Sequence, residues 1–209
     1  MWIVGTIGCL CYSSASAFAE LWGIPYLQSA HQFSHNQASS SVSLVFVGWL
    51  FGGPLAGFIS DKLQKRRLPF MASGLATAIL FTCLIYVPDL PHFVVLVLLF
   101  SIGLCSGGQV IAFACACDMT ETRLSGTALA FTNMFVMFAG DVLQPLIGKI
   151  LDLSWHGLAN AQGERIYTAH EFHLALGILP LFYLGVFLLA KFALRETYRN
   201  PAEICVKVH

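Results

Sequence analysis

Six runs of apolar residues, each about as long as a helix needs to cross a bilayer, divide this chain almost end to end. A helix rises about 1.5 Å per residue, so about 20 apolar residues cover the hydrocarbon core. The runs occupy residues 2–22, 42–60, 69–87, 92–116, 125–151 and 172–193. Chemistry sets their limits. Pro25 and the polar stretch from Gln28 to Ser41 close the first, and Asp61 with Lys65, Arg66 and Arg67 closes the second. Pro88, Asp89 and Pro91 break the third from the fourth, Asp118 to Arg123 separates the fourth from the fifth, and Asp152 to Glu171 is the longest polar connection. The 209 residues are 57% hydrophobic and 11% charged, whereas a soluble domain is about 25% charged. The expected class is all-α transmembrane, with the lipid bilayer as surrounding medium. Continuous runs argue against a barrel, whose strands alternate. Residues 1–22 lack the basic start of a signal peptide and are too long for one. Eleven basic residues balance eleven acidic ones, so no nucleic-acid partner is expected.

Lys and Arg predict the orientation. With both termini on one side, that side holds Lys62, Lys65, Arg66, Arg67, Arg123, Lys191, Arg195, Arg199 and Lys207, against only Lys149 and Arg165 on the other. Both termini, with a tail over 194–209, are therefore expected in the cytoplasm. Met1 lies directly at the membrane, which fits either a short first helix or the second half of something longer.

A short sequence recurs inside the chain. Pro54, Leu55, Gly57, Ile59 and Asp61 match Pro145, Leu146, Gly148, Ile150 and Asp152 in register. The first copy ends span two and the second ends span five, three helices later and on the opposite side. A three-plus-three unit whose copies are upside down relative to each other is typical of transporter repeats; chance recurrence of Pro, Gly and Leu is the alternative. Gly53, Gly57 and Asp61 share one helix face. Two small residues four apart let a neighbouring backbone come close, and Asp61 at the helix end is placed to accept from N–H groups opening another helix. The basic run behind it is expected to stay in water.

Residues 53–66, with Gly53, Gly57, Asp61, Lys62 and Arg66, resemble the Gly-x-x-x-Gly-x-x-x-Asp-[Arg/Lys]-x-x-x-[Arg/Lys] signature of the major facilitator superfamily. Lys62 stands where Arg is commoner and Gln64 where Gly is usual. Glu121 to Ala130 with Arg123, Gln144 to Gly148, and Arg195 to Tyr198 are similar to the loop, penultimate helix and tail of that family's C-terminal half. The resemblance implies a six-helix half bundle of two inverted three-helix repeats, with Gly53, Gly57, Asp61, Lys62, Arg66 and Arg123 as a structural latch. It also implies no cofactor and no enzymatic activity, and a bacterial inner membrane location. The usual member has twelve helices, so a second six-helix half or a second copy is an expected partner. Glu20 to Pro25 is similar to bacterial relatives of organic-anion, sugar-phosphate and lysosomal dipeptide carriers.

Ionisable groups inside spans are costly, about 2.5–3.5 kcal/mol at the helix centre, so those present are functional candidates. Asp141 is the clearest. Asn133, Met137, Gly140, Asp141, Gln144 and Gly148 fall within about 100° on a helix, a stripe suited to a cavity wall with Asp141 as proton or cation site. An interhelical hydrogen-bonding role is the alternative. Tyr12, Ser16 and Glu20 share a face of the first span, which the resemblance places near solute, although Glu20 also suits an interfacial carboxylate. Gln109, after Gly107 and Gly108, is the strongly polar side chain inside span four; the glycine pair would loosen that helix for gating, or merely pack. His31, His35, His92, His156, His170 and His173 fall on the non-cytoplasmic side, where they would charge in acid or simply be solvated. His170 and His173 lack a third metal ligand, so no metal site is expected. Most of the seven cysteines lie within spans and read as small apolar residues.

Three functions remain open. The first is a half-length secondary transporter moving a small polar solute, with or without a proton, by alternating access. No Gly-x-x-x-x-Gly-Lys-[Ser/Thr] loop is present, so a gradient would drive it. The second is a remnant or assembly partner without transport of its own. The third is an intramembrane protease, for which Ser106 lies in a Gly-Leu-Cys-Ser-Gly segment one residue too long.

Overall fold

The computed structural model describes residues 1–159, 163 and 165–198. Arg199, Cys205, Lys207 and His209, with the rest of the expected tail from residue 199 on, lie outside the described residues. Among the described residues six helices are long and apolar enough to cross a membrane: α1 Trp2–Ala30, α2 His35–Leu63, α3 Arg67–Tyr86, α4 His92–Asp118, α5 Thr122–Ser154 and α6 Ala169–Ala193. Among the described residues no strand is present beyond one isolated bridge, Ala159 to Arg165.

Local chemistry starts and stops these helices. Ser34 and Gln37 form a reciprocal capping box, Gln37 N–H donating to Ser34 Oγ at 3.3 Å and Ser34 N–H to Gln37 Oε1 at 3.0 Å, which starts α2 two turns before its apolar run. Thr168 and Glu171 do the same for α6. Gln64, at φ 52°, turns α2 off in the left-handed conformation. Pro25 does not close the first helix. The segment Ser14–Trp22 is a π-helix and α-helix resumes over Gly23–Ala30; the wide turns displace the carbonyls that a proline ring would otherwise strike. In α4 a 3₁₀ turn at Gly107–Gln109 interrupts the helix at the glycine pair.

The helices pair across the repeat. α1 lies along α5, α2 along α4, and α3 along α6. Gly5 and Gly8 meet Phe135 and Val136, and Gly148 meets Trp22, so α1 and α5 run parallel. Gly48 and Gly52 meet Phe100 and Leu104, so α2 and α4 do too. Exchanging α1 with α4, α2 with α5 and α3 with α6 maps the first pairing onto the second, as two inverted three-helix repeats require. Pro54 and Pro145 occupy corresponding places inside α2 and α5.

The closest approach is not where the sequence pattern places it. A side chain at Gly48, Gly52 or Gly103 would collide with the facing backbone, whereas Gly57 has nothing within 4 Å. The glycine seam therefore runs through Gly48, Gly52, Gly103 and Gly107, one residue, about 100° of helix, round from the expected face. Gly53 touches the Val110 side chain at its edge. Buried tyrosines brace the bundle: Tyr183 donates to the Cys11 carbonyl at 2.6 Å and Tyr26 to the Leu84 carbonyl at 2.8 Å, so their hydroxyls are satisfied away from water. α1 is the most enclosed helix, with 67% of its apolar window buried, while α2 and α5 have 28% each.

At the end carrying most of the cations, the basic end, Arg66 is buried rather than solvated. Its guanidinium donates to Asp61 at 2.6 Å, Asp118 at 2.8 Å and Ser60 at 3.0 Å, and lies 4.9 Å from the Tyr198 ring. Burial works against the charge, but the hydrogen bonds and charges of Asp118 and Asp61 prevail and hold Arg66 above its ordinary pKa. Asp61 thus accepts from Arg66, not from a helix terminus. That part is taken by Glu196, which accepts from the Arg66 N–H at 2.7 Å and the Arg67 N–H at 3.4 Å at the start of α3. Arg67 also reaches the Lys191 carbonyl. Lys62 lies over Phe58 at 6.0 Å and is exposed, as is Arg123.

Candidate functional site

Polar side chains of α1 and α5 meet where the two helices run side by side. Four-residue spacing puts Tyr12, Ser16 and Glu20 on one side of α1, and the Tyr12 hydroxyl donates to Glu20 Oε1 at 3.2 Å. Ser16 is buried and donates back to the Tyr12 carbonyl at 3.2 Å. Gly140 of α5 faces it, and a Cβ added there would make an ordinary contact, 3.6 Å from Ser16 Cβ. Gln144 then crosses from α5 to donate to the Ser16 carbonyl at 2.7 Å, and Trp22 crosses back to donate to the Gln144 carbonyl at 3.1 Å. The two bonds clamp the π-helical stretch of α1 against α5. Such widened turns recur at functional sites.

The clamp floors an open groove of about 440 Å³ lined by Leu21, Trp22, Gly140, Asp141, Gln144, Pro145 and Gly148. Asp141 is exposed on its wall, and Asn133 and Met137 continue the exposed stripe toward the basic end. Asp141 and Gln144 thus line the groove and Ser16 is tied to it through Gln144, while Tyr12 and Glu20 pair with each other on α1 and Asn133 lies farther along α5. Gln109 is not among them. It is buried in the 3₁₀ turn of α4, and it lines none of the groove.

Trp49, which the sequence reading passed over, packs on this part of α1, and Trp22, just beyond the face of Tyr12, Ser16 and Glu20, joins α1 to α5. Trp49 of α2 has its ring 5.6 Å from Tyr12 and donates its indole N–H to Ser106 Oγ at 3.0 Å. Trp49 could have been flagged, because an indole N–H within a span needs an acceptor. Ser106 accepts from Trp49 and donates to the Gly103 carbonyl at 3.3 Å, while His173 lies against Tyr26 and Tyr86 near the opposite helix ends.

The end away from the cations, the far end, holds the histidines and a second cluster of charge. Glu171 is enclosed and accepts from His156 Nδ1 at 2.8 Å, the His156 N–H at 3.0 Å and the Thr168 N–H at 2.6 Å. Asp152 accepts from Arg165 and Tyr167. His31 packs on Tyr26 and Phe33, and Phe33 on His92. Burial pushes the His31 imidazole below its ordinary pKa, a backbone hydrogen bond opposes this, and nearby His173 lowers it further. His31 is thus no freely solvated loop histidine. Among the described residues no group of three or more His, Cys, Asp or Glu is placed to hold a metal.

Comparison with known proteins adds the following. The Major Facilitator Superfamily profile matches residues 3–204. A probable hexose phosphate transport protein of Chlamydia trachomatis is 30% identical over 141 residues, 65% of this chain and 31% of that protein. A putative glycerol-3-phosphate transporter 5 of Arabidopsis thaliana is 29% identical over 167 residues, 72% of this chain and 33% of that protein. The partially occluded inward-open structure of the xylose transporter XylE from E. coli superposes with a TM-score of 0.62 at 16% identity, over 93% of this chain and 49% of that one; the likeness is one of fold. The chain spans about a third of the length of these curated relatives.

Proposed function

The chain belongs to the major facilitator superfamily, and from that premise we propose that it is one six-helix lobe of a secondary transporter. It moves a small polar solute, the broad class that includes the sugars and sugar phosphates named for its relatives, by gradient-driven alternating access. The observation that carries this reading is the α1–α5 groove, where Gln144 and Trp22 clamp the π-helical segment at Ser16 and Asp141 lines an open volume; Tyr12 and Glu20, paired on the same helix, are further solute candidates. Asn133 extends the path toward the basic end. Gln109 acts at a distance, where the glycine-loosened turn of α4 lets that helix flex. Asp61 and Arg66, with Asp118 and Glu196, form the latch that fixes the loop between α2 and α3. Gly53, Gly57, Lys62 and Arg123 flank it.

The basic end faces the cytoplasm of a bacterial inner membrane, in accord with the bias of Lys and Arg. The poorly enclosed α2 and α5 present their free faces to a partner lobe, either a second six-helix half or a second copy. The test is uptake by proteoliposomes of a panel of labelled polar solutes under an imposed proton gradient. Gradient-dependent uptake that falls at least tenfold in Asp141→Asn is expected. Absence of uptake for every solute, with partner lobe supplied, would defeat the proposal.

A further inference from the structure

α2 ends at Leu63 and α3 starts at Arg67, yet the two helices scarcely meet, because α2 lies along α4 and α3 along α6. An apolar groove of about 230 Å³ runs between them. Leu55, Ala56 and Ile59 form one wall and Pro69, Ala72 and Ala76 the other, with Leu104 and Cys105 of α4 as its floor. We propose that this groove seats one acyl chain of an anionic phospholipid, whose phosphate is held by Lys62 and Lys65 where the α2–α3 loop closes the groove. The inference does not depend on which solute the lobe moves.

The lining selects hydrocarbon. Ser73 brings the hydroxyl of this groove, and it already donates to the Cys105 carbonyl at 2.7 Å. A polar solute would lose water there and find no partner. A helix with its side chains is about 10 Å across and does not fit this volume, whereas a single chain does. Small side chains such as Ala56, Ala72 and Ala76 normally let two helices close up. Here they line a channel that stays open.

The groove is also not the face left to a partner lobe. Phe46, Leu50, Pro54 and Phe58, four residues apart, make one exposed stripe along α2. Gly52, Ala56 and Ile59 lie about 170° round the helix from that stripe. A partner covering the stripe leaves the groove facing lipid.

The loop supplies the charge. Ile59 and Pro69 are the wall residues nearest to it, and Lys62 and Lys65 each stand about one turn beyond them. The other charges of the loop are engaged. Arg66 turns inward to Asp61 and Asp118, Arg67 reaches the Lys191 carbonyl, and Glu196 accepts from the N–H groups opening α3. Lys62 and Lys65 are exposed, and among the described residues neither ammonium has a hydrogen bond or ion pair. Lys62 lies over Phe58 at 6.0 Å. Basic groups between helices at a membrane surface hold anionic headgroups, each Lys adding about fivefold in affinity. Chain and headgroup are thus met by adjoining parts of one cleft.

The test uses the full chain in detergent and counts retained lipid by native mass spectrometry. The probes are dioleoyl-phosphatidylglycerol, dioleoyl-phosphatidylcholine and dihexanoyl-phosphatidylglycerol, which keeps the anionic headgroup on short chains. One retained dioleoyl-phosphatidylglycerol per chain is expected, bound at least tenfold more tightly than either other probe. Lys62→Gln and Lys65→Gln should each weaken it about fivefold, and together about 25-fold. Arg123→Gln, at the same end but at the start of α5, should leave it unchanged. Ala72→Leu fills the groove from an exposed position and should weaken retention at least fivefold. An unchanged size-exclusion profile identifies folded variants, and the short-chain probe tests the chain seat in the parent without any substitution. No retained lipid, equal retention of the choline lipid, or losses in Arg123→Gln that match those of the lysine variants would overturn the proposal. Full-strength binding of the short-chain probe would do so too, since the phosphate would then bind without a seated chain.

Discussion

The same Pro-Leu-x-Gly-x-Ile-x-Asp sequence ends α2 and α5, and the two ends repay comparison. Each terminal aspartate takes an arginine from the loop that follows it, Asp61 with Arg66 at 2.6 Å and Asp152 with Arg165 at 2.5 Å. Each arginine lies 4.9 Å from an aromatic ring, Tyr198 in one case and Trp155 in the other. There the likeness ends. The Arg66 side chain is 9% exposed and shared with Asp118, while Arg165 and Asp152 are each about half exposed. The repeat supplies the aspartate, the loop beyond it supplies the arginine, and the surroundings of each pair decide its energy. A shared arginine out of water is held by two carboxylates that would otherwise be left without a partner. A half-exposed pair is screened and contributes little.

The sharpest way to break this contrast is Arg66→Ala. It leaves Asp118, mostly buried, without its cation, and should cost about 3 kcal/mol, read as a large fall in the thermal midpoint of the detergent-solubilised chain. A loss no greater than that of Arg165→Ala would erase the distinction. Next comes Glu196→Ala. It removes the carboxylate over the first N–H groups of α3, comparable to losing a helix cap, and about 1 kcal/mol is expected, with accelerated hydrogen exchange confined to the start of α3.

A smaller effect concerns His31 at the far end. Burial lowers its pKa in the folded chain below the ordinary value near 6.5, so the unfolded chain binds the proton first. Stability from this group is present above about pH 6.5 and fades as pH falls through the folded value. The melting temperature should drop on going from pH 7.5 to 5.5, and drop less in His31→Gln. Equal slopes in the two proteins would remove His31 as a source. The smallest effect is expected from Arg165→Ala, whose midpoint should be indistinguishable from that of the parent; a clear drop would mean that the exposed pair organises its loop after all.

Much of this was legible in the sequence because hydrocarbon imposes a length and continuity that few other environments do. The six apolar runs, the repeat ending in Asp61 and Asp152, and the joining of Tyr12, Ser16 and Glu20 by four-residue spacing all follow from periodicity. Facing helices do not. The seam through Gly48 and Gly103 needs knowledge of which helix lies opposite, so the reading chose Gly53 and Gly57 on motif spacing alone. Arg66 looked solvated because it belongs to a run of basic residues, and its true neighbours, Asp118 and Glu196, come from distant points in the chain. Pro25 misled for another reason: a proline stops an α-helix, but not one that has already widened into π geometry. The Ser34–Gln37 box starts α2 two polar turns before the apolar run that set the expected boundary.

The crossed pairing of the repeats has a consequence for biosynthesis. α1 finds its long neighbour in α5, and α2 in α4, so neither triplet can settle by itself as it leaves the ribosome. Within the first triplet α1 and α2 do meet, but the glycine-notched side of α2 lacks its neighbour until α4 arrives. A stall in synthesis between the triplets would leave that side of α2 unzipped.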